Sequence, residues 1–253
     1  MAIAIYDHYK PVSMDDSIPR TAAGQVVALA DKLDTLRECF RIGLIPTGSK
    51  DPFALRRAAQ GVIKIVFEAR LPVPLDGFVE QPELREFLRD RIAYYLRESY
   101  PYDEVNAVMA RPFEHLPELR KRLEAIHRVR PTPDFEPLAA SFKRIQNILR
   151  QAQVKGPMTV DPQKLTPGPE EELYKAFRKV SSEVAQSSDF YANLTSIASL
   201  RPQVDLFFDK ILVNDPDPTI RQNRLALLEG LLTEFSTIAD FSEIVTQGAS
   251  AQS

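Results

Sequence analysis

The stretch Phe135-Glu136-Pro137-Leu138-Ala139-Ala140-Ser141-Phe142-Lys143-Arg144-Ile145-Gln146-Asn147-Ile148-Leu149 places Phe135, Leu138, Phe142, Ile145 and Leu149 three or four residues apart. That spacing lines one face of an α-helix with apolar side chains, with charged and amide residues between them. The same period recurs outward in both directions. Upstream lie Leu116, Leu119, Leu123 and Ile126, then Leu84, Leu88, Ile92, Tyr95 and Leu96, and a short run from Asp103 to Ala110. Earlier still are Leu55, Ala59, Val62, Ile63 and Val66, preceded by Val26, Leu29, Ala30, Leu33, Leu36 and Phe40. Downstream the stripes are Leu173, Phe177, Val180 and Val184, then Leu194, Ile197, Val204, Phe208 and Leu212 with a break or bend at Pro202. Leu227, Leu228, Leu231, Phe235 and Ile238 complete the set. No stretch alternates with period two, and the lone Asp76-Gly77 follows prolines, so no hairpin is predicted. The expected fold class is all-α.

Twenty prolines against nine glycines punctuate these stripes. Asp51-Pro52 and Asp217-Pro218 read as a helix cap followed by proline at the first helical position, where the missing N–H costs nothing. Leu71-Pro72-Val73-Pro74 cannot continue a helix. Arg130-Pro131-Thr132-Pro133 is the best boundary, dividing the chain into 1–130 and 131–253. Residues 154–169 read as a Pro/Gly-rich connector without a packed element.

With 253 residues, 44% hydrophobic and 26% charged, the chain can bury a real core. The 32 basic against 35 acidic residues exclude a polycation that binds nucleic acid by bulk counterion release. Charge is uneven, however. Arg111–Arg150 holds nine basic and five acidic residues, a local +4, whereas Leu200 onward holds four and eight, a local −4. Both sets read as solvated helix faces, and the basic one is also able to track a phosphate backbone. No apolar run approaches the roughly 20 residues of a membrane span. The opening Met1-Ala2-Ile3-Ala4-Ile5-Tyr6 lacks a basic signal-peptide region, which predicts a cytoplasmic location.

Enzymatic signatures fail one by one. Gly43-Leu44-Ile45-Pro46-Thr47-Gly48-Ser49-Lys50 ends in the wrong order for a phosphate loop, which requires Gly-Lys-Ser/Thr after a strand. The single Cys39 has no nearby histidine and reads as a packing residue. His8, His115 and His127 form no paired metal motif. Ala30-Asp31-Lys32 resembles the last metal-ligand helix of HD-domain phosphohydrolases, with Asp31 at the ligand position. One carboxylate cannot hold a divalent ion, and the chain has Asp7-His8 in reversed order with no His-Asp pair. No catalytic and no metal residue is therefore predicted, and an ionic or capping role is expected for Asp31.

Ala30-Asp31-Lys32-Leu33-Asp34-Thr35-Leu36 is followed by Ile42-Gly43-Leu44-Ile45-Pro46-Thr47-Gly48-Ser49-Lys50-Asp51-Pro52-Phe53-Ala54-Leu55-Arg56-Arg57-Ala58-Ala59. Together these closely resemble the β subunit of bacterial glycyl-tRNA synthetase. Ala4-Ile5-Tyr6-Asp7-His8-Tyr9, Phe142 to Leu149, Val204 to Val213, Arg221 to Leu228 and Ala239-Asp240-Phe241-Ser242 match that family in order. The similarity covers essentially the whole chain but only the family's C-terminal part. It implies the tail of a degenerate HD-like domain over 1–130 and an anticodon-binding helical domain of the DALR type over 131–253, cut from a longer subunit.

The resemblance implies recognition and not bond making. A separate α subunit of the synthetase carries aminoacylation with ATP and Mg, so this chain is expected to need no cofactor and to be noncatalytic alone. The implied partners are glycine tRNA, the α subunit and the remaining β domains, with no membrane. All glycine codons begin GG, so the shared anticodon letters are two cytosines, which need acceptors for the exocyclic amine, donors for the ring carbonyl and stacking surfaces. Lys143, Arg144, Asn147 and Arg150 on one helix, and Arg221, Asn223 and Arg224 on another, are the candidates. Against this, Arg221 and Arg224 lie one turn apart, as do Asp205 and Asp209 on the preceding helix, so they are also placed to bridge two helices. Arg56 and Arg57 are expected to pack. The competing readings are an HD-type metal-dependent phosphohydrolase and a scaffold that docks the rest of the synthetase.

Overall fold

A computed structural model describes residues 1–253 except 75–78, 80, 114, 155 and 246–253; Asp76-Gly77 therefore lies outside the described residues. Among the described residues there are eleven α-helices and no strand. They are α1 (Ala2–Asp7), α2 (Ala22–Arg41), α3 (Leu55–Glu68), α4 (Pro82–Arg97), α5 (Tyr102–Met109) and α6 (Leu116–Val129). The rest are α7 (Phe135–Gln151), α8 (Pro169–Gln186), α9 (Phe190–Ala198), α10 (Arg201–Lys210) and α11 (Pro218–Phe235). The all-α expectation holds. By compactness the chain forms two units, Met1–Val105 with Pro112–Arg120, and Asn106–Arg111 with Lys121–Ser253. This division falls earlier than Arg130–Pro133, which is a hydrogen-bonded turn joining α6 to α7, with the Thr132 N–H donating to the Val129 carbonyl.

The first unit is built around α3, whose residues Gly61 to Phe67 are buried on every side. Its start departs from the expected cap. Asp51 does accept from the Leu55 and Arg56 N–H groups at 2.8 and 3.0 Å, but the helix begins at Leu55, after Ala54 in a left-handed conformation at φ 55°. Pro52 thus lies before the helix and not at its first position. On α2 the buried stripe is Ala28, Leu29, Lys32, Leu36 and Phe40, while Val26 and Ala30 face solvent. A lysine joins the apolar face because its ammonium donates to the His8 and Tyr9 carbonyls at 3.0 and 3.3 Å. Its stem crosses Gly61, where a Cβ would sit 2.8 Å from Lys32 Cε. Burial pushes the Lys32 pKa below its ordinary value. Lys64 likewise donates to the Met14 carbonyl, and Arg20 grips the buried Asp7 with two side-chain donors at 2.8 and 3.0 Å. The segment after α1 is held by these polar tethers. α4 packs on α3 through Leu84, Leu88, Ile92 and Leu96, with Tyr95 stacked on Phe67 at 5.1 Å.

The second unit places α11 at its centre, buried from Asn223 to Leu228 and again at Leu231 and Phe235. Asp217 accepts from the Thr219 N–H at 2.8 Å with Pro218 at the first helical position, as the sequence predicts. Phe142 of α7 meets Phe235 at 4.7 Å and Phe241 at 5.3 Å, so the stripe that opens the sequence reading forms the wall of this core. The Leu194–Leu212 stripe is two helices. α9 ends before Leu200, and Pro202 lies in the first turn of α10. Because the phase restarts there, Phe207 is buried while Phe208 is half-buried and Leu212 is exposed. The connector is less bare than expected: it carries a 3-10 turn at Pro162–Lys164, and Asn223 binds both the N–H and the carbonyl of Asp161 at 2.8 and 3.1 Å.

Candidate nucleic-acid interface

The seven candidate side chains separate into an exposed group and an interior group. Arg144, Asn147 and Arg150 recur every three residues on the solvent side of α7, opposite the buried Phe142, Ile145 and Leu149. The Arg144 guanidinium carbon lies 4.0 Å from the centroid of the Phe208 ring on α10, a cation–π contact with a half-buried aromatic. Arg150 donates to the Asn147 side-chain carbonyl at 2.9 Å, leaving the amide's donors turned outward. Lys143 is different: its ammonium donates to the Ile244 carbonyl at 2.5 Å and is part-buried. Arg221 is exposed in the first turn of α11.

Asn223 and Arg224 are interior groups, and this corrects the expectation that they reach RNA. Both are buried, and the amide of Asn223 is spent on Asp161. Arg224 donates to the buried Glu170 at 3.0 Å, Asp215 at 2.7 Å, the Leu212 carbonyl at 2.8 Å and Thr166 at 3.2 Å. With four of the guanidinium's five N–H donors directed at its own fold and the side chain only 7% exposed, little of it is left for a ligand. Nor does it pair with Asp205 or Asp209 as its spacing suggested; Asp205 pairs with Arg201 at 3.4 Å. The Asp217 N–H, more than the Arg224 cation, holds the Asp215 carboxyl below the usual carboxylate range.

In the first unit, Arg56 donates to the Gly48 carbonyl at 2.7 Å and so closes the Pro46–Lys50 loop onto α3, whereas Arg57 is exposed. Asp31 is exposed on α2, and among the described residues no group of three or more His, Cys, Asp or Glu is placed to hold a metal ion. No helix among the described residues is long and apolar enough to cross a membrane.

One feature escaped the sequence reading. Lys121, Glu124 and Arg128 of α6 and Asp189, Phe190 and Tyr191 at the start of α9 line a cavity of about 390 Å³. Arg128 lies 3.8 Å from the Tyr191 ring centroid, and Arg122 lies 5.6 Å from that of Phe190. Asp189 caps α9 by accepting from the Tyr191 and Ala192 N–H groups at 2.9 and 3.2 Å. The partners are more than sixty residues apart, so no local period could reveal them; only the local +4 from Arg111 to Arg150 marked the region.

Comparison with known proteins gives two successive matches. Residues 1–110 match the family described as glycyl-tRNA synthetase beta subunit, and residues 138–247 match the DALR anticodon binding domain. The glycine–tRNA ligase beta subunit of Acidobacterium capsulatum is 46% identical over 97% of this chain and 38% of its own length. Those of Citrifermentans bemidjiense and Nitrosomonas europaea are 39% and 37% identical over 96% of the chain, covering 38% and 39% of their own lengths. This chain thus spans a little over a third of these relatives. The two matches in tandem, with identity sustained across both units, make this chain similar along nearly its whole length to a little over a third of glycine–tRNA ligase β subunits.

Proposed function

We propose that this chain binds the anticodon region of glycine tRNA and leaves aminoacylation, with ATP and Mg, to a separate α subunit in the cytoplasm. The observation that carries this reading is the exposed row Arg144, Asn147 and Arg150 on α7, inside the region that matches the DALR anticodon binding domain. Phosphate contact needs cations at the surface, and base contact needs amide or guanidinium groups beside a flat stacking partner. The row supplies both, with Phe208 behind Arg144. Lys143 and Arg221 are further candidates, while the buried Asn223 and Arg224 act as supports. The near-neutral total charge suits a reader that discriminates more than a binder that attracts any polyanion.

A filter-binding titration at one stated salt concentration tests this, comparing glycine tRNA with a transcript whose two anticodon cytosines are changed. Preference for the unaltered tRNA is expected, and equal affinity for both overturns the anticodon reading. A docking role toward the rest of a longer synthetase is a second reading. It is favoured by Met1, Ile3, Ile5, Tyr6, Tyr9 and Val12, exposed in and just after α1. That role predicts association with the α subunit and other β domains without measurable tRNA binding.

A further inference from the structure

We infer that Lys143 serves RNA binding as a positioning residue: it fastens the segment 236–245 against α7, and that segment holds the row Arg144, Asn147 and Arg150 in place. The inference rests on the RNA-binding reading above and sets the part that Lys143 has in it.

The segment after α11 turns back on its own helix, with the Ser236 and Thr237 N–H groups donating to the Leu232 and Glu234 carbonyls. Ile238, Ala239, Phe241 and Ile244 are then buried. The segment's one regular element is the 3-10 turn Phe241–Glu243, capped by Asp240, which accepts from the Ser242 N–H at 3.0 Å and its hydroxyl at 2.6 Å. The remaining attachments reach distant parts of the second unit. The Asp240 N–H donates to the Ala107 carbonyl at 2.8 Å. The Lys143 ammonium donates to the Ile244 carbonyl at 2.5 Å, and the Arg130 guanidinium to the Val245 carbonyl at 3.4 Å. The Lys143 contact is short and charge-assisted, which makes it the strongest single fastening of the segment's end.

α7 depends on this support. Asp134, at its N-cap, makes no side-chain cap bond and pairs with Arg201 at 2.9 Å instead, so packing must hold the start of the helix. Phe241 supplies much of that packing. Its ring lies 6.0 Å from Phe135 in the first turn and 5.3 Å from Phe142, about two turns on. Lys143 follows Phe142 directly and Arg144 follows Lys143, so the fastening and the exposed row share one turn. Releasing the segment removes a wall from the buried face of α7. The row then holds its binding geometry only part of the time, and RNA binding carries the cost of ordering it. Lys143 itself is half-buried, with its ammonium on the carbonyl of a fully buried residue. A phosphate would have to draw it off that carbonyl and loosen the segment, so Lys143 acts from behind the row.

The test titrates the whole chain with glycine tRNA by filter binding over a series of salt concentrations. Lys143→Met keeps the apolar stem and removes the donor. It is expected to weaken binding about fivefold at fixed salt, with the slope of log affinity against log salt within about 0.3 of wild type. Lys143→Arg restores a donor and should bind within about twofold of wild type. Phe241→Leu loosens the same segment without touching a cation; it should weaken binding similarly, and adding Lys143→Met to it should cost little more. Deuterium exchange at the Asp240 amide should quicken in Lys143→Met while amides in the middle of α11 keep their wild-type protection. A slope lowered by about 0.7–0.9 makes Lys143 a phosphate contact and overturns the positioning role. Wild-type affinity in Lys143→Met, whatever its urea midpoint, also overturns it, because a lysine that only stabilises the fold gives that result. Failure of the wild-type chain to bind glycine tRNA at any of these salts overturns the RNA-binding reading, and this role with it.

Discussion

Replacing Arg224 with alanine distinguishes an interior support from an RNA contact. The side chain of Glu170 is fully buried and that of Arg224 is 7% exposed, with 3.0 Å between them. Deleting the cation leaves a carboxylate in a site with little water to solvate it, and breaking such a pair costs about 3–5 kcal/mol. For a domain of this size the slope of stability against urea is about 2 kcal/mol per molar, so the unfolding midpoint of the second unit should fall by about 2 M. Urea titration read by circular dichroism, with hydrogen exchange on α8 and α11 to isolate that unit, measures the shift. Removing both charges in Arg224→Met/Glu170→Leu should recover most of the loss, because well-packed apolar residues often replace a buried pair at little cost. Exposed Arg221→Ala, one turn earlier, should stay within about 0.5 kcal/mol of wild type. If Arg224→Ala shifts stability by less than about 1 kcal/mol and instead abolishes RNA binding, the interior assignment is wrong.

Three further outcomes follow from the same geometry. Arg144→Ala should reduce the slope of log affinity against log salt by about 0.7–0.9, one cation's worth, with the urea midpoint lowered by no more than about 0.5 M for the lost contact with Phe208; an unchanged slope would remove Arg144 from the interface. Gly61→Ala should destabilise the first unit despite the better helix propensity of alanine, because the new Cβ meets Lys32 Cε at 2.8 Å, whereas in a Lys32→Ala background the same change should cost little further on thermal unfolding. The Arg20 donors hold the Asp7 carboxyl down at about 2, below its ordinary 3.8. A depressed carboxyl stabilises the fold above the unfolded value, and that contribution disappears as pH falls from about 4 through 2. Protease protection of residues 8–20 should fade over that window in the wild type and already be lost at neutral pH in Asp7→Asn; equal protection at neutral pH would refute the tether.

Much of the fold was legible because helical burial follows a local period. The stripes of α4, α6 and α7 need only their own sequence to be found, and Asp217-Pro218 announced its helix correctly. The departures have non-local causes. Lys32 joins the buried face of α2 only because backbone carbonyls 24 and 23 residues upstream receive its ammonium. Phe207 replaced Phe208 in the core because the chain breaks at Leu200 and α10 starts a new phase. The site was less legible still. Exposure of Arg144 follows from its place opposite Phe142, but the burial of Arg224 depends on Glu170, fifty-four residues away. The Arg128–Tyr191 stack likewise joins helices that no single window contains.

The reciprocal pair between Asn223 and Asp161 has a consequence for how the second unit can be watched. The N–H of Asp161 is held at 2.8 Å by a side chain sixty-two residues away and by no neighbour in its own turn. Its exchange with solvent deuterium therefore times the release of the connector from α11, while amides inside α11 time the opening of the helix. Two clocks in one molecule separate peeling of the connector from melting of the core, and a single amide resonance supplies the first of them.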